Sequence, residues 1–267
     1  MFEPRTWNMV APGYAAEIPA TFSSFADDAL ALGALRLGEN VLDVATGPGT
    51  LAVPAARLGA RVTAIDFSPE MIAQLQSRMR REHVQGIEAR VADATALPFE
   101  DDEFDAVFSM FALNLIANRG AAFREILRVL RMGGRAVVCT PGDLTQAPAF
   151  AEIRDIVRRA LPQLDLKMDL PLAEPSAVMD EMVAAGFANV EVRRVTHSFT
   201  YPSVGVLWAI ASRAGAPVVL VRAATPEDEW SRASETIVRD LERRFGSGPQ
   251  RVELSANLAH ARKERIH

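Results

Sequence analysis

This chain predicts an α/β fold, a parallel sheet with helices on both faces, and three observations carry that prediction. Short apolar runs rich in Val, Ile and Phe recur between residues 40 and 140: Val41–Ala45, Arg61–Asp66, Ile87–Ala92, Phe104–Met110 and Arg135–Thr140. Segments of helical period lie between them: Leu51–Leu58, Pro69–Glu82 and Arg119–Arg131. The first run breaks into a Gly-x-Gly turn, Gly47-Pro48-Gly49, ahead of the first helical segment. Strands alternating with helices in this way pair in parallel through helical crossovers.

Each element has a local reason. In Ser68-Pro69-Glu70, Ser can cap a helix and Pro fits its first turn. Gly133-Gly134 reads as a helix stop before the fifth strand. Residues 1–39 hold Trp7, Tyr14, Phe22 and Phe25, then an Ala/Leu-rich stretch, Ala26–Leu37. They predict one or two helices across the sheet edge. Residues 143–188 read as mainly helical (Ala149–Leu161 and Ser176–Ala185), around a proline-bearing linker near Pro162–Pro175. Asn189–Tyr201 alternates like a strand. Ser203–Arg213 and Pro226–Phe245 read as helices, Gly246-Ser247-Gly248-Pro249 as a break, and Arg251–Arg262 as a last strand. The whole is one domain: a cofactor-binding core at 40–142, helical cover segments at 143–188 and 200–250, and last strands at 189–199 and 251–262.

Composition narrows the function. With 29 Lys and Arg against 34 Asp and Glu, the net charge is −5. Nucleic-acid binding needs clustered cations, and the basic pairs here are scattered, so nucleic acid is not the expected partner. The lone Cys139 sits in the apolar run Ala136–Thr140 and reads as an inert buried thiol. His83, His197, His260 and His267 have no metal-ligand spacing, so no metal is expected. There is no visible secretory signal or membrane span. A cytoplasmic protein is expected, with a small-molecule substrate and a homodimer as a candidate assembly.

The glycine turn leaves two cofactors open at first. Gly47-Pro48-Gly49-Thr50-Leu51-Ala52 fits the Gly-x-Gly-x-x-Ala dinucleotide fingerprint, and Asp66 follows at the end of the next strand. An NAD-dependent oxidoreductase is therefore one reading. Three further features weigh against it. Asp93 follows the third strand in Asp93-Ala94-Thr95-Ala96-Leu97-Pro98-Phe99; an acidic turn, Glu100-Asp101-Asp102-Glu103, leads into Phe104-Asp105-Ala106-Val107; and Arg128-Val129-Leu130-Arg131-Met132-Gly133-Gly134-Arg135 opens the fifth strand.

With these motifs, residues 40–140 resemble the class I S-adenosylmethionine-dependent methyltransferases, most closely the ubiquinone/menaquinone biosynthesis branch and its small-molecule relatives. The resemblance implies a Rossmann-like, seven-stranded, mostly parallel sheet, with S-adenosylmethionine as cofactor. One departure stands out: the family's usual first loop glycine is here Ala45 or Thr46, depending on alignment. That cofactor carries no phosphate. Asp43, beside the turn that runs from Ala45 and Thr46 to Gly47 and Gly49, would attract its ammonium, and Asp66 would accept hydrogen bonds from its ribose hydroxyls. Phe67 and Met71 would flank the adenine, and Asp93 with the Ala94 backbone would read its edge. Met110 and Phe111 would lie beneath the sulfonium, with Tyr14 closing over the carboxylate. All but Tyr14 stand at or just past the carboxyl ends of strands, where open α/β sheets bind ligands.

Methyl transfer from a sulfonium depends mainly on positioning. The ends of strands four, five and six bring Asn114, Thr140, Asp143, His197, Phe199 and Tyr201 forward as acceptor-side residues. His197 is the candidate general base, because imidazole titrates near neutrality. Trp7, Phe22, Phe25 and Trp208 are candidates for an apolar acceptor pocket under a helical cover. The expected reaction is in-line transfer to a small apolar or aromatic acceptor. A non-catalytic cofactor-binding member is the third reading.

Overall fold

The computed structural model describes residues 3–143, 148–164 and 170–264. Among them the chain runs α1 (Pro4–Gly33), β1 (Asn40–Val44), α2 (Ala52–Arg57), β2 (Arg61–Asp66), α3 (Pro69–Arg81), β3 (Ile87–Val91), β4 (Phe104–Met110), α4 (Arg119–Val129) and β5 (Leu130–Pro141). There follow α5 (Pro148–Ala160), α6 (Pro175–Ala184), β6 (Ala188–Tyr201), α7 (Val204–Ala214), α8 (Ala216–Ala224), α9 (Glu227–Phe245) and β7 (Gln250–Arg262). Residues 165–169 of the expected proline-bearing linker, and His267, lie outside the described residues.

The strands form one seven-stranded sheet in the order β3-β2-β1-β4-β5-β7-β6. Every pairing from β3 to β5 is parallel; β7 enters antiparallel between β5 and β6. The order reverses between β1 and β4, leaving a crevice beyond their carboxyl ends. Successive β1 residues face opposite ways, so Val41 joins one core and Leu42 and Val44 the other. On one face α1, α2 and α3 bury Phe25, Ala29, Leu30, Val53 and Leu75 against Val41, Ala106, Phe108, Val137 and Leu258. On the other, α4 and α6 bury Phe123, Ile126, Val178 and Met182 against Leu42, Val107 and Val138. A third cluster unites α5, α7, α8 and α9 around Trp208 and Trp230.

Two expectations are corrected. α1 is a single helix despite Pro12 and Pro19 within it, and it lies on a sheet face rather than across an edge. The reason is its stripe of small and apolar residues, Phe25-Ala26 and Ala29-Leu30, which fits the face better than an edge. Gly133 and Gly134 do not stop a helix: α4 ends at Val129, and both glycines lie inside β5. There Gly133 donates to the Lys263 carbonyl, and Lys263 donates back to that of Gly134.

The β6–β7 ribbon outruns β5. Its pairing continues past Pro141↔Ala256 to Tyr201↔Gln250. The overhang lies along α1, with the Thr21 and Tyr201 hydroxyls 3.0 Å apart and His197 Nε2 2.7 Å from Asp28 Oδ2. Among the described residues, no single helix is long and apolar enough to cross a membrane.

Candidate active site

Past β1 the chain turns sharply. Ala45, Gly47 and Gly49 all take left-handed backbone, with φ of 57°, 55° and 78°. Ala45, unlike Thr46, thus takes the backbone conformation that glycine favours. A non-glycine residue there costs about 1–2 kcal/mol. The Thr46 N–H donates to the Ile65 carbonyl (2.8 Å), and Arg78 Nη1 donates to the Gly49 carbonyl (3.0 Å), so β2 and α3 both hold the turn. A Cβ on Gly49 would lie 2.4 Å from the fully buried Leu75. A Cβ on Gly47 would meet only Tyr14, at 3.9 Å. Gly49 is thus needed for packing, and Gly47 keeps backbone open toward the crevice.

Two buried carboxylates flank this turn. Asp66, 6% exposed, accepts from the N–H groups of Gly47 (2.9 Å) and Ser68 (2.9 Å). Burial pushes its carboxyl up to about 6, with those amides opposing. Asp43, 1% exposed, accepts from the Thr46 hydroxyl through Oδ2 (2.7 Å). Its Oδ1 has no partner among the described residues. Burial raises it to about 7, the Thr46 hydroxyl and the Ala52 amide oppose, and the Asp66 charge adds to the rise. A buried unpaired carboxylate oxygen is costly unless a donor arrives.

Asp66 borders a cavity and Asp43 a small recess, and the two share Tyr14, Ala45, Gly47, Met110 and Phe111 as lining. A cavity of about 470 Å³, within the usual size of small-ligand sites, is lined by Ala45, Gly47, Asp66, Phe67, Met71, Asp93, Ala94, Met110 and Phe111, among others. Leu115, Ile116 and Asn118 close one side, and Trp7 and Tyr14 of α1 contribute another wall. These two rings meet edge to face, 5.7 Å apart. Burial, then the nearby Asp66 carboxylate, drives the Tyr14 phenol well above its ordinary value. A small recess beside the cavity is formed by Tyr14, Phe22, Asp43, Thr46, Met110 and Phe111. Asp93 is exposed at the cavity rim, where its Oδ1 accepts from the N–H and hydroxyl of Thr95, both at 2.8 Å.

All the cofactor-side residues read from sequence therefore border the cavity, the recess or, for Gly49, the turn itself. The acceptor-side set is largely dispersed, and His197 is the main correction. It does not line the cavity: it pairs with Asp28 and sits edge-on against Phe25, 4.7 Å away, because the ribbon carries it onto α1. Tyr201 is spent on Thr21, and Phe199 leans on Phe25. Thr140 donates to the Leu172 carbonyl (2.8 Å) and is fully buried. Trp208 stacks on Trp230 in the separate helical cluster, 5.8 Å away. Asn114 is buried just behind the wall, with an unpartnered Oδ1 among the described residues, and Asp143 is likewise not on the cavity lining. Among the described residues no lining residue comes from 203–245, so that part of the expected cover does not border the cavity; α7 packs on α1 instead. Burial raises the Cys139 thiol, with the Asp28 charge adding, and the residue is wholly enclosed.

Residues 42–138 match a family described as a methyltransferase domain. A demethylmenaquinone methyltransferase of Clavibacter sepedonicus is 35% identical over 176 residues, 60% of this chain and 69% of that one. The chain belongs to the class I S-adenosylmethionine-dependent methyltransferases, in the ubiquinone/menaquinone-like branch. Some other curated relatives are matched over only about half their length, 54%. The fold agrees. The YcgJ protein of Bacillus subtilis has a TM-score of 0.61 at 19% identity, covering 90% of this chain and 98% of that chain. A Haemonchus contortus phosphoethanolamine N-methyltransferase 2, solved with S-adenosyl-L-methionine, has a TM-score of 0.55 at 21% identity, covering 90% and 53%.

This methyltransferase uses S-adenosylmethionine, and its residues fit that cofactor. Asp43 Oδ1, without a partner among the described residues, suits a cationic donor. The family match lends no support to the nicotinamide alternative. Sequence reasoning missed Asn8 and Arg78. Asn8 Oδ1 accepts from the Ser68 hydroxyl (2.7 Å), tying α1 to the start of α3, while Arg78 holds the glycine turn. Both partners lie tens of residues away, and no local spacing could have announced them.

Proposed function

We propose that this methyltransferase transfers a methyl group to a small, neutral acceptor bearing an apolar or aromatic ring, by in-line displacement. One observation carries the reading: among the described residues, the cavity lining holds carboxylates, apolar side chains and a few neutral polar groups (Tyr14, Thr95, Asn118) but no Lys, Arg or His. An anionic acceptor would find no countercharge there, and burying an unpaired charge is costly. The name of the Clavibacter relative points the same way, to a quinone-type acceptor.

S-adenosylmethionine, when bound, supplies an electrophilic methyl on a sulfonium. The chain's own residues then bind and orient. Asp66 receives the ribose hydroxyls while Gly47 and Ser68 fix its carboxylate. Asp43 Oδ1 receives the ammonium, Asp93 and Ala94 the adenine edge, with Phe67 and Met71 beside the ring. Met110 and Phe111 wall the reacting end, and Tyr14 with Trp7 excludes water from above. Alignment of this kind is worth about 7–11 kcal/mol. Among the described residues no imidazole or amine lines the cavity, so the acceptor's own nucleophile attacks the methyl and its proton is released to solvent as product leaves.

Calorimetry with S-adenosylhomocysteine and NADH tests the cofactor side, and mass-spectrometric assay of reduced naphthoquinones against phosphoethanolamine tests the acceptor side. Binding of S-adenosylhomocysteine alone, with methylation of the neutral rings, is expected. Methylation of phosphoethanolamine only would sink the acceptor reading. Tight S-adenosylhomocysteine binding with no turnover on a broad panel would favour a non-catalytic role.

A further inference from the structure

Phe111, the first residue past β4, holds left-handed backbone with φ 57°, a conformation bulky side chains rarely adopt. Such strain persists only where neighbours over-determine it. Its N–H is fixed by the Cys139 carbonyl at 2.7 Å. Its ring is stacked on Phe22, with centroids 4.2 Å apart and planes 24° from parallel. Phe25 meets the same ring edge-on at 5.4 Å. Phe25 is in turn fully buried and met edge-on by His197, whose ring nitrogen is held 2.7 Å from Asp28. Phe22, Phe25 and Asp28 follow one another at three-residue spacing on α1, so one helix face presents the whole series.

We propose that the Phe22–Phe111 stack is the acceptor-discriminating wall, selecting flat rings, and that the Asp28–His197 pair is its positioning clamp. Phe111 borders both the cavity and the recess, while Phe22 borders the recess, next to Met110. A flat wall of aromatic faces favours a flat neutral partner over an equally apolar puckered one. His197 never touches acceptor or cofactor; it acts by fixing Phe25, which fixes Phe111. This deepens the ring-acceptor reading and rests on it.

The test uses enzyme loaded with S-adenosylhomocysteine and calorimetric titration of 1-naphthol, which is planar, against decahydro-1-naphthol, which is not. The wild type is expected to prefer 1-naphthol by roughly fivefold or more, the scale of one aromatic stacking contact. Phe22→Leu, titrated at saturating S-adenosylhomocysteine so that any change in cofactor affinity stays out of the comparison, should bring the two within about twofold. His197→Ala should lose the preference and His197→Gln, which can still donate to Asp28, should retain it; a purely structural histidine would not separate the two. Wild-type preference that survives Phe22→Leu overturns this proposal and leaves the ring-acceptor reading standing. Loss of preference in His197→Gln as complete as in His197→Ala removes the clamp. A wild type that binds S-adenosylhomocysteine but shows no planar preference overturns the wall, and one that binds neither alcohol overturns the ring-acceptor reading with it.

Discussion

Asp66 spends part of its roughly four acceptor positions on the Gly47 and Ser68 amides, with the Phe67 amide adding to them, and keeps acceptor capacity for a ligand. A hydrogen bond to a charged acceptor is worth about 1.5–3 kcal/mol. Asp66→Ala should therefore raise the Kd for S-adenosylhomocysteine by roughly ten- to a hundredfold in calorimetry, with circular dichroism unchanged. A loss below threefold would remove Asp66 from the ribose site. Ala45 makes the opposite kind of prediction. Its left-handed backbone is strained, so Ala45→Gly should relieve about 1–2 kcal/mol. Greater freedom of glycine in the unfolded chain offsets roughly 0.5–1 kcal/mol of that. Urea denaturation should show a small net gain in stability; a clear loss would mean that the Ala45 methyl packs usefully against its surroundings.

At the scale of elements, α3 and the glycine turn are mutually dependent, because any Cβ on Gly49 collides with Leu75. Gly49→Ala should cost more than about 2 kcal/mol, combining overpacking with strained backbone. Adding Leu75→Ala should cost less than the sum of the single changes, and a strictly additive double-mutant cycle would deny the collision. The same elements divide what sequence could and could not disclose. β1, β2, β4 and α3 were legible because apolar period, Ser68 and Pro69 are local signals. Asp43, Asp66 and Asp93 were legible because strand ends fix where side chains converge. The path of α1 was not, since Pro12 and Pro19 interrupt its pattern and its docking depends on Val137 and Leu258, far along the chain. Nor was the fate of His197: only the overhang of β6 and β7 beyond β5 places it against Asp28.

For the molecule as a whole, Asp43 and Asp66 make folding sensitive to pH. Their folded-state carboxyls titrate near 7 and 6, above the ordinary 3.8. Between about pH 4 and 7 these two groups thus bind more protons in the folded chain than in the unfolded one, and their contribution to stability falls as pH rises. The loss from Asp66 alone is on the order of 3 kcal/mol. Thermal unfolding without ligand should show greater stability at pH 5 than at pH 8, and Asp43→Asn should flatten the slope. Saturating S-adenosylhomocysteine should stabilise more at pH 8, because its donors meet carboxylates already ionised. An equal ligand effect at both values would deny the coupling.

The place of β7 in the sheet has a consequence for how the chain is made. β6 leaves the ribosome well before β7, yet it has no parallel neighbour to join: the strand that separates it from β5 emerges after both. Until residues 250–262 arrive, β5 presents a bare edge and the ribbon that steadies α1 cannot form, a state open to association between nascent chains. Stopping translation at Pro249 should thus give a species far more prone to aggregate and to proteolysis within α1 than a chain carried on through β7.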